Sequence, residues 1–387
     1  MRRMRIALAM TLAALAAALF WAQAARALDE VGRYVFVPDR AGAQVAVIDT
    51  RSDSVVRRIP VGNVPHQVVV SPALGLIVAS NTADNTISIV DLEGGATRTV
   101  TLGAEPEHMA LGPDGRLLAV GNIAAGSVSL VDIAEARETA RIDGFFSPHN
   151  LTFGPAGRRL YVANLGARHV TVVDVALGRI ESEIPIASPR SFAAAGKAAE
   201  AYQGVVNVTA TRDGRYGYAA HGEGNAMAVI DLGAGDTVKT LALGKQPWRA
   251  FATADGRYMI VPNNGDRTVS VVATDTNAVV ATLPGASDMT GVNTGWFETA
   301  AFVISRGEDK AVVLDLVGMR KAGEIPLPGV PETGVTTPDG KKLYVALSGA
   351  GKVAVIDTKA RRVVKTIDGV GREPWGATMS GALNYCH

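Results

Sequence analysis

Six prolines of this 387-residue chain are each followed by a side chain able to do chemistry: Pro65-His66, Pro106-Glu107, Pro148-His149, Pro247-Trp248, Pro331-Glu332 and Pro374-Trp375. A position serving the fold alone would carry small or apolar residues. Neutral imidazole ligates haem iron or copper, and a carboxylate beside it serves as ligand or orienting partner. The indole rings of Trp248 and Trp375 could stack on a flat ligand. Arg249 and Arg306 would pair with a propionate or another acidic group. A second recurring position reads Asp39, Asn81, Asn122, Asn164, His221, Asn263, Ser305 and Leu347. The asparagines suit local turn hydrogen bonds, and His221 breaks their pattern. The candidate cofactor set is therefore His66, Glu107, His149, His221, Trp248, Arg249, Arg306, Glu332 and Trp375. His66, His149 and His221 are the metal candidates, and a haem-type group or copper is the cofactor. Each histidine taken alone also reads as a solvated turn residue. His108 and His169 fall in other registers and read as structural. Glu105 and Glu107, at strand spacing, read as a solvated rim rather than an acid/base pair. Cys386 and His387 could form a separate soft-metal site, with a disordered tail as the alternative.

The elements that must position these residues repeat. An apolar run ending in Asp recurs as QVAVIDT, TISIVDL, SVSLVDI, HVTVVDV, AMAVIDL, TVSVVAT, AVVLDL and KVAVIDT. Its last-but-one residue is Asp49, Asp91, Asp132, Asp174, Asp231, Ala273, Asp315 and Asp357, at spacings of 42, 41, 42, 57, 42, 42 and 42 residues. Each repeat holds four alternating, β-branched runs separated by turn residues, as in HNLTF, LYVAN, HVTVVDV and RIESEIPI. Alternation of this kind predicts strands, and the period is that of a four-stranded propeller blade. The fold class is all-β. The first repeat lacks its opening strand, and the segment Pro374–Met379 supplies one at the far end. Pairing the two closes a ring of eight blades, with seven as the alternative. The long fourth spacing predicts a short helix at 187–204, either a lid carrying Arg190 and Tyr202 or a surface decoration.

Residues 1–27 have the form of a secretory signal peptide: a basic start, an apolar run from Ile6 to Trp21, and Ala25-Arg26-Ala27 before the cleavage point. Cleavage removes Arg2, Arg3, Arg5 and Arg26, which turns the formal +1 charge into −3. The domain is then 28–387, expected in the periplasm as a monomer with no membrane span. The expected partner is a periplasmic redox or maturation protein. A composition of 48% hydrophobic residues with near-balanced charge excludes a disordered chain and gives no footprint for nucleic acid. One cysteine excludes a disulfide framework and a CxxCH haem attachment. No GxSxG, HExxH or Walker-type loop is present, so an enzyme here would be an oxidoreductase. A non-catalytic interaction scaffold is the alternative function.

The phrases LYVAN, VIDT and IPVG resemble the YVTN family of β-propeller repeats, over residues 33–380. An exported eight-bladed ring also resembles the cytochrome d1 propeller group. The resemblance implies a ligand or cofactor at the axial mouth. It also implies that the loop entering each innermost strand and the loop after the second strand share that face. The chain departs from a complete haem nitrite reductase in lacking a c-type cytochrome domain.

Overall fold

The computed structural model describes residues 31–93, 95–186 and 204–380. The leader at 1–27, the insertion apart from Gly204, and the Cys386-His387 pair lie outside them. The described residues form eight four-stranded antiparallel sheets, with two 3-10 turns and no longer helix. None of their helices is long and apolar enough to cross a membrane.

In seven blades the strands follow chain order from the innermost outward. The remaining blade joins Tyr34–Asp39, Gln44–Asp49 and Ser54–Pro60 to Thr378–Met379 from the other end of the chain. Val35 pairs with Met379 and Phe36 with Thr378. Asp39 locks the closure: its carboxylate accepts the Arg372 and Glu373 amides at 3.0 and 2.9 Å. A Cβ on Gly371 would collide with that carboxylate, so only glycine lets the strand pass. The ring therefore has eight blades and is closed by its termini.

The hydrophobic clusters lie between blades. Val78, Ile87 and Ile89 of one sheet pack on Leu118, Val120 and Val131 of the next. Val35, Val37 and Ile48 pack on Tyr344, Val353 and Val355 across the closure. Second strands are buried on both faces, whereas an outermost strand such as Arg179–Pro185 buries Ile184 and exposes most of the rest. Each sheet thus needs a neighbour on both sides, which a ring provides.

The repeated Asp is turn chemistry. Asp231 Oδ1 accepts the amides of Gly233 and Ala234, both at 2.9 Å, and Asp132 and Asp315 do the same in their blades. Ala273 lacks that carboxylate, and the Thr274 hydroxyl donates to the Gly256 carbonyl at 2.6 Å. Asp231→Ala is expected to cost about 1 kcal/mol in urea unfolding, and an unchanged midpoint would refute the turn role.

Candidate functional site

Each inner strand starts beside the end of its own second strand: Pro65 opposite Asn81, Pro106 opposite Asn122, Pro148 opposite Asn164, Val205 opposite His221 and Pro331 opposite Leu347. The two recurring positions of the sequence therefore share one mouth of the channel. The asparagines serve the turns. Asn81 accepts the Gly62 amide at 3.1 Å and donates to Thr86 and Ser88. A Cβ on Gly62 would come within 2.6 Å of the Asn81 Cγ.

The inner strands do not alternate regularly where they start. After the Pro65–Asn81 pair the next is Val68–Ala79, so three residues advance against two. The same step follows Pro106 and Pro148. This is a β-bulge, which re-aims side chains that strict alternation would send to opposite faces. The bulges are stitched to one another: the Ser80 hydroxyl donates to the Glu107 carbonyl at 2.7 Å, and the Met109 amide donates to the Gln67 side chain at 2.5 Å.

Three consecutive bulges bring His66, Glu107, His108 and His149 together. The Glu107 carboxylate stands 3.7 Å from His66 Nε2 through one oxygen and 3.7 Å from His108 Nε2 through the other. Such spacing is too long for a hydrogen bond. It approximates the roughly 3.4 Å edge of a tetrahedron with metal–ligand bonds of about 2.1 Å. One donor atom from each of His66, Glu107 and His108 lies within 4.8 Å of the other two, the one such group of three among the described residues. His149 stands outside that group of three but next to it, its Nε2 lying 2.9 Å from His108 Nε2. The Val206 carbonyl, 3.0 Å from His149 Nδ1, must accept a proton from it. That leaves His149 Nε2 bare, so His108 Nε2 carries the shared proton. A small cavity of about 10 Å³ lies beside His66 and His108, lined further by Gln67, Thr333 and Thr378.

The environment keeps the cluster near neutrality. Burial pushes the Glu107 carboxyl up to about 7, against the Arg40 guanidinium, with Glu105 adding to the rise. Burial, then the Arg249 charge, pushes the His149 imidazole down to about 3. The Trp375 ring lies 6.1 Å from the His66 ring and carries the Arg40 guanidinium 4.1 Å above it.

Several sequence expectations change. His108, read as structural, belongs to the cluster because the bulge turns it toward Glu107. Glu107 is no solvated rim residue: its side chain is 27% exposed and sits between two imidazoles, while Glu105 stays exposed. His221, read as a ligand with His66 and His149, belongs to no metal-type group among the described residues. It replaces an asparagine in blade five and is fully buried. Glu332 and Arg306 engage each other at 3.3 Å, with Ser348 on Glu332 and Asp288 on Arg306, a structural ion-pair network. Trp248 is half-buried and its amide is held by the Pro262 carbonyl. Arg249 is 4% exposed, and its guanidinium lies 4.9 Å from the Phe251 ring. Arg40 was legible only by analogy: it follows Asp39 as Arg306 follows Ser305.

His221 gives a pH prediction. Burial chiefly, with Arg168 adding and Glu223 opposing, pushes its imidazole down to about 4. The unfolded chain then binds the proton more readily, so stability falls as pH drops from about 6.5 toward about 4, by on the order of 3 kcal/mol. His221→Asn should flatten that acid limb in urea titrations at stepped pH. An unchanged limb would remove His221 as its source.

A model of the YNCE-like beta-propeller family matches residues 69–382. The chain belongs to that family. Among relatives of this YNCE-like propeller, a seven-bladed beta-propeller protein of Mycobacterium tuberculosis is 34% identical over 119 residues, 30% of each chain. The match thus spans under a third of that relative. Kuenenia stuttgartiensis hydrazine synthase is similar in structure with a TM-score of 0.58 at 22% identity, over 76% of this chain and 95% of that one. The dihydro-heme d1 dehydrogenase NirN, solved in complex with DHE, gives a TM-score of 0.72 at 18% identity, over 91% and 76%. These likenesses bear out the YVTN-type and cytochrome d1-type resemblance at the level of fold.

Proposed function

We propose that this is an exported propeller that holds one divalent transition-metal ion, copper(II) before zinc, at the His66–Glu107–His108–His149 mouth, in redox metabolism or metal handling outside the cytoplasm. The observation that carries the reading is the convergence of three imidazoles and one carboxylate from three successive bulges. His66, His108 and Glu107 would be the ligands, with His149 backing His108. Imidazole with carboxylate and no thiolate suits copper and zinc, and at equal geometry copper(II) binds more tightly. To act as a ligand through Nε2, His108 would have to carry its ring proton on Nδ1 in place of the one now shared with His149. The ion would supply redox or Lewis-acid chemistry. The chain's part is to orient the imidazoles, with the Trp375 ring and the Arg40 guanidinium stacked beside His66. The leader at 1–27 supports export.

The site is small for a porphyrin, since the His66–His108 and His108–His149 ring centroids are 5.0 and 3.8 Å apart. The test is elemental analysis and visible spectroscopy of protein purified without added chelator, then after copper(II) titration and gel filtration. One retained copper per chain supports the proposal. A stoichiometric haem Soret band would favour haem instead. A colourless protein that retains neither would leave the interaction scaffold.

A further inference from the structure

The far end of the same channel holds a second cavity. It measures about 420 Å³, within the range of small-molecule sites. Five adjacent inner segments wall it, together with the turns that follow them, at Pro113, Pro155 and Arg212. Those turns lie at the opposite ends of the inner strands from His66 and His149, so this mouth is on the other face of the ring.

The charge of the lining has one sign. Arg249 and Arg212 are its ionisable residues, with no Asp, Glu or Lys among them. Aspartates do occur in the surrounding turns, but they are committed there. Asp114 accepts the Leu117 amide at 3.0 Å, Asp213 the Arg215 amide at 3.0 Å, and Asp255 the Arg257 amide at 3.0 Å. Arg249 is buried deep in the channel, and its field reaches His149, whose imidazole it helps to keep neutral. Arg212 is exposed at the rim. Between them stand neutral polar groups. Asn150 lines the wall, and the Gln67 amide oxygen is taken by Met109, which leaves its NH2 to donate. The wall also carries Thr152, Thr209, Thr211 and Thr253, whose hydroxyls donate to the Val208 and Ala250 carbonyls and to the Asp213 and Asp255 carboxylates, beside the apolar Met109, Leu151 and Val208.

We propose that this cavity binds a small organic carboxylate. The buried Arg249 guanidinium would hold the carboxylate, and Arg212 would meet a second acidic group or steer entry. The amides of Asn150 and Gln67 would donate to the remaining oxygens. A guanidinium beside apolar side chains suits an oxyanion carried on a carbon skeleton. The threonine hydroxyls already donate elsewhere, and the Met109, Leu151 and Val208 side chains offer a bare phosphate no donor. This inference does not depend on the metal reading, because it concerns the other mouth and can be tested on metal-free protein.

The probe is succinate, titrated calorimetrically into chelator-treated protein at low salt. Inorganic phosphate, succinamide and 1,4-diaminobutane serve as comparisons. Succinate alone should bind. Asn150→Asp puts a competing carboxylate in the wall and should abolish binding while Arg249 stays in place. Arg249→Gln should weaken it at least about tenfold, as truncating one side of a buried charge pair does. Arg212→Gln, at an exposed position, should weaken it less and leave the melting temperature unchanged. No succinate binding by the wild type would overturn the proposal. So would phosphate or succinamide binding as well as succinate, or succinate affinity that survives both Asn150→Asp and Arg212→Gln in folded protein.

Discussion

His108→Ala should lower copper(II) affinity by at least about a hundredfold, while His221→Asn leaves it at the wild-type value. The contrast separates the structure from the sequence pattern, which favours the reverse order. His108 Nε2 lies 3.7 Å from Glu107 and 2.9 Å from His149, so its removal strips a ligand and loosens its two neighbours. His221 is held in the turn position that asparagine fills in other blades. Competition titration against a chromogenic chelator gives both affinities. Because His108 is fully buried, its variant should also be checked by circular dichroism, and His108→Asn offers a smaller change of volume with the same expected loss. Equal affinity in wild type and both His108 variants would remove the cluster as the copper site.

Ending the chain after Gly371 should destroy cooperative folding or lower the melting temperature by at least about 10 °C. The truncation takes away the only inner strand of the first blade. Val35 and Phe36 lose their partners Met379 and Thr378, and the buried Ala377 and Met379 leave the cluster that joins the first and last blades. Burial of one such large side chain contributes roughly 1.5–3 kcal/mol, and each ladder hydrogen bond adds about 1. Removing the strand also leaves the Asp39 carboxylate without the amides of Arg372 and Glu373. Asp39→Ala tests the lock alone and should cost more than Asp231→Ala, whose two amides lie at an exposed turn. A truncated chain that melts like the wild type would mean that the ring is not held by its ends.

Much of this molecule can be read from its sequence. The 42-residue period, the Asp-closed turns and the orphan strand at Pro374–Met379 lead to eight blades and to their closure. Pairs such as Pro65-His66 and Pro148-His149 lead to the mouth of the channel, because proline marks where six of the eight inner strands begin, four at the strand itself and two at a bridge ahead of it. The rest depends on backbone geometry that periodicity does not carry. Strict alternation puts Glu107 and His108 on opposite faces, whereas the bulge after Pro106 brings both onto one centre. Its trace in the sequence is faint: His108 follows Glu107 as Gln67 follows His66. Arg40 reaches Trp375 only because the ring closes, so two positions at opposite ends of the chain become neighbours. Glu332 and Arg306 have residue types suited to a ligand, but Ser348 and Asp288 already satisfy them. Residue type and blade register name the candidates, and only the local hydrogen bonds separate a site from a turn.

The central claim is that His66, Glu107 and His108, backed by His149, form one metal centre. X-ray absorption at the copper edge of protein loaded with one equivalent of copper(II) tests it most directly. The prediction is a first shell of nitrogen and oxygen at about 2.0 Å, with the outer-shell scattering of at least two imidazoles, lost together in His66→Ala/His108→Ala. A first shell of water oxygens alone, or an imidazole signal unchanged in that double variant, would contradict it.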